Sequence, residues 1–247
     1  MSAVRALAWR EWLIRFRNPI FPLWDLISPL AYLAIFGASF EKWMPPGATP
    51  GGYGRFFLAG VLGMVTVVIA WNSSYAFFED LRAGVFHELL TFPFPRRDLL
   101  LGKLVFNLLF SLVSAGLCVL AARFTLGVHT APGALALALL ATLVAMAAWT
   151  TLYFWMALVM RGFNAYQTTT SALYLIVMFL SDMFYPLEML PAPLRGLARW
   201  NPASWQIGLT RALLDGRAPS PWHVAGTLMF LIVVLILAER RLNATHE

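Results

Sequence analysis

Phe56 to Phe78 reads FFLAGVLGMVTVVIAWNSSYAFF, a run without a single charged residue. As a helix rising about 1.5 Å per residue it is long enough for the roughly 30 Å hydrocarbon core of a bilayer, which takes about 20 apolar residues. Two more uncharged runs follow, Leu104 to Ala122 and Ala134 to Met160. Phe21 to Phe40 is similar but carries Asp25, Pro22 and Pro29, and Tyr166 to Leu180 runs on through Ser181 and Asp182 to Tyr185. Trp222 to Ala238 ends at Glu239, Arg240 and Arg241. The sequence thus predicts an all-α integral membrane protein, a single membrane domain over 1–247 with six spans near 21–40, 56–78, 100–122, 134–160, 166–185 and 222–238.

Composition agrees. The chain is 60% apolar and 12% charged, with a mean hydropathy of +0.71, whereas soluble domains are roughly 45–50% apolar and about 25% charged. Too little polar surface remains to coat a water-soluble globule. The net charge of +6 sits beside apolar runs and not in a stripe over a polar fold, which argues against nucleic acid as a partner. Cys118 lies in an apolar run, so a monomer has neither an internal disulfide nor a cysteine-based metal site.

Lysine and arginine favour cytoplasmic loops. With both termini inside, 11 of these residues flank the cytoplasmic side and 7 the outer side. Four of the outer ones (Arg195, Arg199, Arg211 and Arg217) fall in the segment between the fifth and sixth spans. The first span leads into Glu41, Lys42 and Trp43 without a small-residue cleavage pattern, so it is expected to stay in place.

Three segments carry more than topology. Over about 3–17, Trp9, Trp12, Leu13 and Phe16 recur at helical spacing while Arg10, Glu11, Arg15 and Arg17 project elsewhere, the pattern of a helix lying in the membrane interface. A basic tail that only sets topology is the alternative. Over 79–98, Glu79, Asp80 and Arg82 precede Gly84, then Phe86 and Glu88, and Pro93, Pro95 and Arg96 end the segment. A short, stiff helix here could fit a socket on another protein, or serve as an ordinary interfacial loop. Over 184–215, Phe184, Pro186, Leu187, Leu190, Pro191, Asn201 and Pro202 form a stretch too apolar for a solvated loop and too often broken for a span. Two short helices joined near Pro191 to Pro193 and dipping into the outer leaflet suit it.

At these residues the chain resembles the permease subunits of ABC type-2 exporters, which move drugs, glycolipids and polysaccharides out of bacteria. Asp80, Arg82, Gly84, Pro93 and Arg96 look like the family's coupling helix, and Phe184 to Pro202 is similar to its re-entrant outer hairpin, read as an outer gate. Tyr53, Phe56 and Gly60 also fit, although Ala59 stands where a proline is common. The resemblance implies two ATPase subunits carrying ATP and Mg, a second and identical permease half, surrounding lipid, and a bacterial inner membrane.

Chemistry of the chain's own is not apparent. Gly102-Lys103 lacks the preceding glycine of a phosphate loop, so ATP is expected on a partner and no cofactor on this chain. His87, His129, His223 and His246 lie in separate segments with no metal-ligand spacing. Asp25 and Asp182 are placed near span ends, Asp25 close to headgroups and Asp182 capping a turn. No nucleophile–base constellation supports an embedded lipid-modifying enzyme, and a passive channel or assembly scaffold stays open as the alternative to an exporter. Trp71, Trp149 and Trp155 fall inside spans, where cargo contact competes with helix packing.

Overall fold

The computed structural model describes residues 3–40, 43, 49, 51–89, 91–92 and 94–244, with backbone alone at 38, 87, 96, 243 and 244. Among them all regular structure is helical. Five stretches are long and apolar enough to cross a membrane: Ile20–Gly37, Tyr53–Arg82, Arg97–Thr125, Pro132–Val159 and Pro221–Leu242.

The first helix, α1, spans Ala3–Arg17, and α2 spans Ile20–Tyr32. Pro29 lies inside α2 and removes one backbone donor. Beyond it the helix widens into a π-helical turn, Leu33–Gly37, and finishes as α3, Ala38–Phe40. The run read first lies in α4, Tyr53–Arg82, the most enclosed of these five stretches. It packs against α6 (Arg96–Thr125), α7 (Pro132–Val159) and α10 (Pro202–Leu214). Glycines set these approaches: a Cβ on Gly63 would stand 2.6 Å from the Ile207 side chain of α10.

The last helix, α11 (Pro221–Ala244), closes the bundle against α7 and α10. Leu109, Val113 and Phe124 of α6 and Met229, Ile232 and Val233 of α11 stay exposed, which water would penalise and lipid accommodates.

The expected fifth span is the main departure. Its helix, α8, covers Phe163–Phe179, 17 residues or about 25 Å, and the chain then turns through Leu180–Tyr185. The sequence placed helix to Tyr185; instead Asn201 captures the terminal carbonyls of α8, as described below. A short α5, Val85–Leu89, joins α4 to α6, and a 3₁₀ turn at Leu187–Met189 precedes α9, Ala192–Arg199.

Candidate functional site

The candidate elements occupy opposite ends of α4. At the α5 end, Glu79 and Arg82 form a half-exposed ion pair at 3.5 Å, while Asp80 turns inward. Lys103 of α6, 2% exposed, donates to Asp80 at 3.0 Å and to Glu11 of α1 at 2.7 Å. Arg10 closes the cluster, 2.9 Å from Glu11 and 3.6 Å from Asp80, and the Lys103 ammonium lies 5.6 Å from the centre of the Phe77 ring. Two carboxylates against two cations neutralise one another where solvent is scarce. Gly102 makes this contact reachable: a Cβ there would meet the Leu7 Cβ at 2.5 Å, so only glycine lets α1 lie this close to α6.

The α1 residues Trp9, Trp12, Leu13 and Phe16 lie on the molecular surface, while Leu7 is buried. Trp12 and Phe16 lean edge-on against Phe106 and Phe110 of α6. The far end of α1 is fixed by Arg15, which pairs with Asp25 of α2, and Asn72 of α4 donates to the same carboxylate at 2.5 Å. Asp25, expected at the level of the headgroups, is fully buried inside the chain, where these partners hold it between three helices.

Beyond α4 the chain turns at Gly84, whose φ of +78° is the left-handed conformation glycine adopts without strain. Phe86 of α5 faces the bundle. It is buried, 5.8 Å from the Phe77 ring, and clamps α5 to the bundle. The exposed residues of this end include Arg82, Glu88, Phe92 and Pro95. Pro95 opens α6, whose first turn holds Asp98 where the helix dipole favours a carboxylate. Pro93 lies outside the described residues, as does the Arg96 side chain.

At the α9 end, Phe184 is a hub. Its ring lies about 6 Å from those of Tyr32, Phe36, Phe57 and Phe179, and its carbonyl accepts from the Tyr53 hydroxyl at 3.0 Å. The Arg211 guanidinium sits 3.8 Å from the centre of the Phe56 ring and donates to the Asp182 carboxylate at 2.5 Å and carbonyl at 2.8 Å. Gly60 faces Met183 so closely that a Cβ would stand 2.2 Å from the Met183 carbonyl oxygen. Tyr53, Phe56 and Gly60, singled out at the start of the second span, therefore all seat the segment after α8.

Asn201 joins the two short helices of this segment. Its Oδ1 accepts from the Ala203 N–H at 3.0 Å, capping α10, and its Nδ2 donates to the carbonyls of Val177 at 3.1 Å and Leu180 at 2.6 Å. Pro202 occupies the first turn of α10, where a missing N–H costs nothing. Pro186 and Pro191 instead precede the 3₁₀ turn and α9. The segment has two breaks: one at Leu190–Pro191, between the 3₁₀ turn and α9 and next to the expected junction, and a second at Trp200–Asn201, between α9 and α10. Leu190 is buried, Leu187 partly so, and Arg195 ties the turn by donating to the carbonyls of Glu188 at 2.7 Å and Leu190 at 3.0 Å. Burial raises the pKa of the Tyr185 phenol, which donates to the Phe179 carbonyl at 2.6 Å.

Sequence reasoning missed Lys103 and Gly102, tested only against a phosphate loop, and it missed Phe92 as the exposed aromatic of the α5 end. The intramembrane tryptophans Trp71 and Trp149 pack and bond internally: Trp149 donates to Gln206 at 2.5 Å and Trp71 to Thr170 at 3.3 Å.

A bundle of five helices long and apolar enough to cross a membrane, with shorter helices at both of its ends, is the architecture of a multi-pass membrane protein. The ABC-2 type transporter family model matches residues 2–214, and the chain belongs to that family. It is 24% identical over 197 residues to "Probable multidrug ABC transporter permease YbhS" of Escherichia coli strain K12, and equally so to the protein of that name from Escherichia coli O157:H7. The match covers 76% of this chain and 52% of each relative, so the chain spans about half the length of the curated relatives it matches.

Proposed function

We propose that this chain is a transmembrane permease half of an ATP-driven exporter, with both termini on the cytoplasmic side of a bacterial inner membrane. The observation that carries the reading is the α5 end: a five-residue helix anchored inward by Phe86 and beside the Asp80–Lys103 pair, with Arg82, Glu88 and Phe92 turned outward. Such a knob transmits force because its base cannot yield. ATP and Mg belong to a partner ATPase in two copies, and a second, identical permease half completes the path. The α9 end, with α9 and α10 as a re-entrant pair, forms the outer gate. The relatives' description as multidrug permeases supports a hydrophobic, amphiphilic cargo, and lipid-linked or glycan cargo fits the same architecture. No nucleic acid takes part.

The test is reconstitution with the ATPase partner. ATP-dependent movement of an amphiphile across proteoliposomes is the expected result; movement independent of ATP supports a passive channel, and none with any cargo removes the exporter reading. Gly84 sharpens it. Nothing lies within 4 Å of a Cβ placed there, so a new side chain would project away from this chain. Gly84→Ala costs about 1–2 kcal/mol of backbone strain and leaves docking nearly intact, whereas Gly84→Trp adds bulk and should abolish co-purification of the ATPase while membrane insertion persists. Equal retention by both variants would place docking elsewhere.

A further inference from the structure

At the α5 end, α6, α7 and α11 enclose a groove of about 800 Å³, within the roughly 300–1,000 Å³ typical of small-ligand sites. Its floor is α7: Thr150, Thr151 and Phe154 are all buried. Leu101 and Leu104 form one wall and Leu235 and Ala238 the other. Arg97 and Glu239, both exposed, line the same groove, and neither makes an ion pair among the described residues.

Helical spacing sorts these groups by depth. Arg97, Leu101 and Leu104 follow one another at i, i+4 and i+7, so the leucines lie up to about 10 Å deeper than the arginine. On α11, Leu235 lies one turn, about 6 Å, deeper than Glu239. One cation and one anion therefore flank the mouth of an aliphatic slot that opens between membrane-spanning helices.

We propose that this groove binds a membrane phospholipid whose headgroup carries both a phosphate and a primary ammonium, from the leaflet on the α5 side. The phosphate meets Arg97, the ammonium meets Glu239, and an acyl chain lies between α6 and α11 over Phe154. Charge complementarity selects this occupant. An anionic lipid without an amine could pair its phosphate with Arg97 but would leave Glu239 without a counter-charge from the lipid. A trimethylammonium headgroup has no N–H to donate to that carboxylate, whereas a primary ammonium has three. A water-soluble partner protein could reach the mouth but not the leucines one and two turns below it. The inference goes beyond export, and its test needs neither ATPase nor transport, so the two can fail separately.

The experiment is competitive lipid retention on the full-length chain in detergent, read by native mass spectrometry. Phosphatidylethanolamine, phosphatidylcholine and phosphatidylglycerol with identical acyl chains are offered in equal amounts. Retention of phosphatidylethanolamine about tenfold above each of the others is expected. Glu239→Gln should bring it down to the phosphatidylcholine level, and Leu101→Trp, which fills the slot, should remove all three. Leu235→Trp is the second filling variant should Leu101→Trp fail to fold. Equal retention of the three lipids by the unaltered chain overturns the proposal. So does phosphatidylethanolamine retention that survives Glu239→Gln and a filled slot, which would mean non-specific annular lipid only.

Discussion

The two ends of α4 are fastened by different chemistry. At the α5 end, ions from three helices meet: Glu11 of α1, Asp80 of α4 and Lys103 of α6, with Arg10 beside them. At the α9 end, separate ion pairs, Arg211 with Asp182 and Arg55 with Asp215 and its neighbour Arg217, are joined by side chains that bond to backbone, Asn201 above all, and by glycines that let backbone touch helix. Paired charges hold firmly while every partner is present and fail together when one is lost. Side-chain to backbone bonds act locally and fail singly. A lever needs the first property and a gate can use the second, so the contrast suits the driven and gated ends proposed above.

The largest effect should come from Lys103→Met. It leaves Glu11 and Asp80 with only the more exposed Arg10 as their shared cation among the described residues, and removal of one member of a buried ion cluster costs about 3–5 kcal/mol. Thermal unfolding in lipid nanodiscs should fall accordingly, and hydrogen exchange should show α1 released. The triple variant with Glu11→Gln and Asp80→Asn should recover most of the loss. An α1 that stays protected in the single variant would break the comparison, since the ions would then not be what holds that end.

Gly60→Ala tests the other end. The added methyl would stand 2.2 Å from the Met183 carbonyl oxygen, and overpacking of this kind costs about 1–3 kcal/mol. The expected readout is faster exchange confined to residues 180–190 with α1 unaffected. Asn201→Ala should follow at about 1–2 kcal/mol, from a lost helix cap and carbonyls of α8 left without their donor. If either variant released α1 as well, the two ends would be one cooperative unit.

Much of this was legible beforehand and some could not have been. The apolar runs from Phe56, Leu104 and Ala134 lie in helices α4, α6 and α7, because an uninterrupted run of that length has no other stable form in a bilayer. The stopping point of α8 was hidden, since it depends on Asn201, 21 residues beyond Leu180. Lys103 was hidden for the same reason: its partners are 92 and 23 residues away and nothing in its neighbours announces them. The sense of α5 was ambiguous because five residues give no period from which to tell Phe86 inward from Phe92 outward.

The smallest perturbation decides where the α9 face lies. In α9, Leu194 and Leu197 are exposed on the molecular surface, while Arg195 reaches back to the carbonyls of Glu188 and Leu190. The exposed leucines meet either lipid or water, and single cysteines introduced beside the native Cys118, which is buried and so shielded from the reagent, separate the two. A cysteine replacing Leu190 should react poorly with a membrane-impermeant thiol reagent in every medium, because protein covers that position. One replacing Ala192, exposed at the start of α9, should react readily. Leu197→Cys is the discriminating probe: it lies 60% exposed on the molecule, so slow labelling in vesicles with rapid labelling in detergent means that lipid covers it. A re-entrant pair predicts that outcome. Rapid labelling in vesicles would place α9 in water, leaving α10, sealed between α4, α7 and α11, as the structure's own lid.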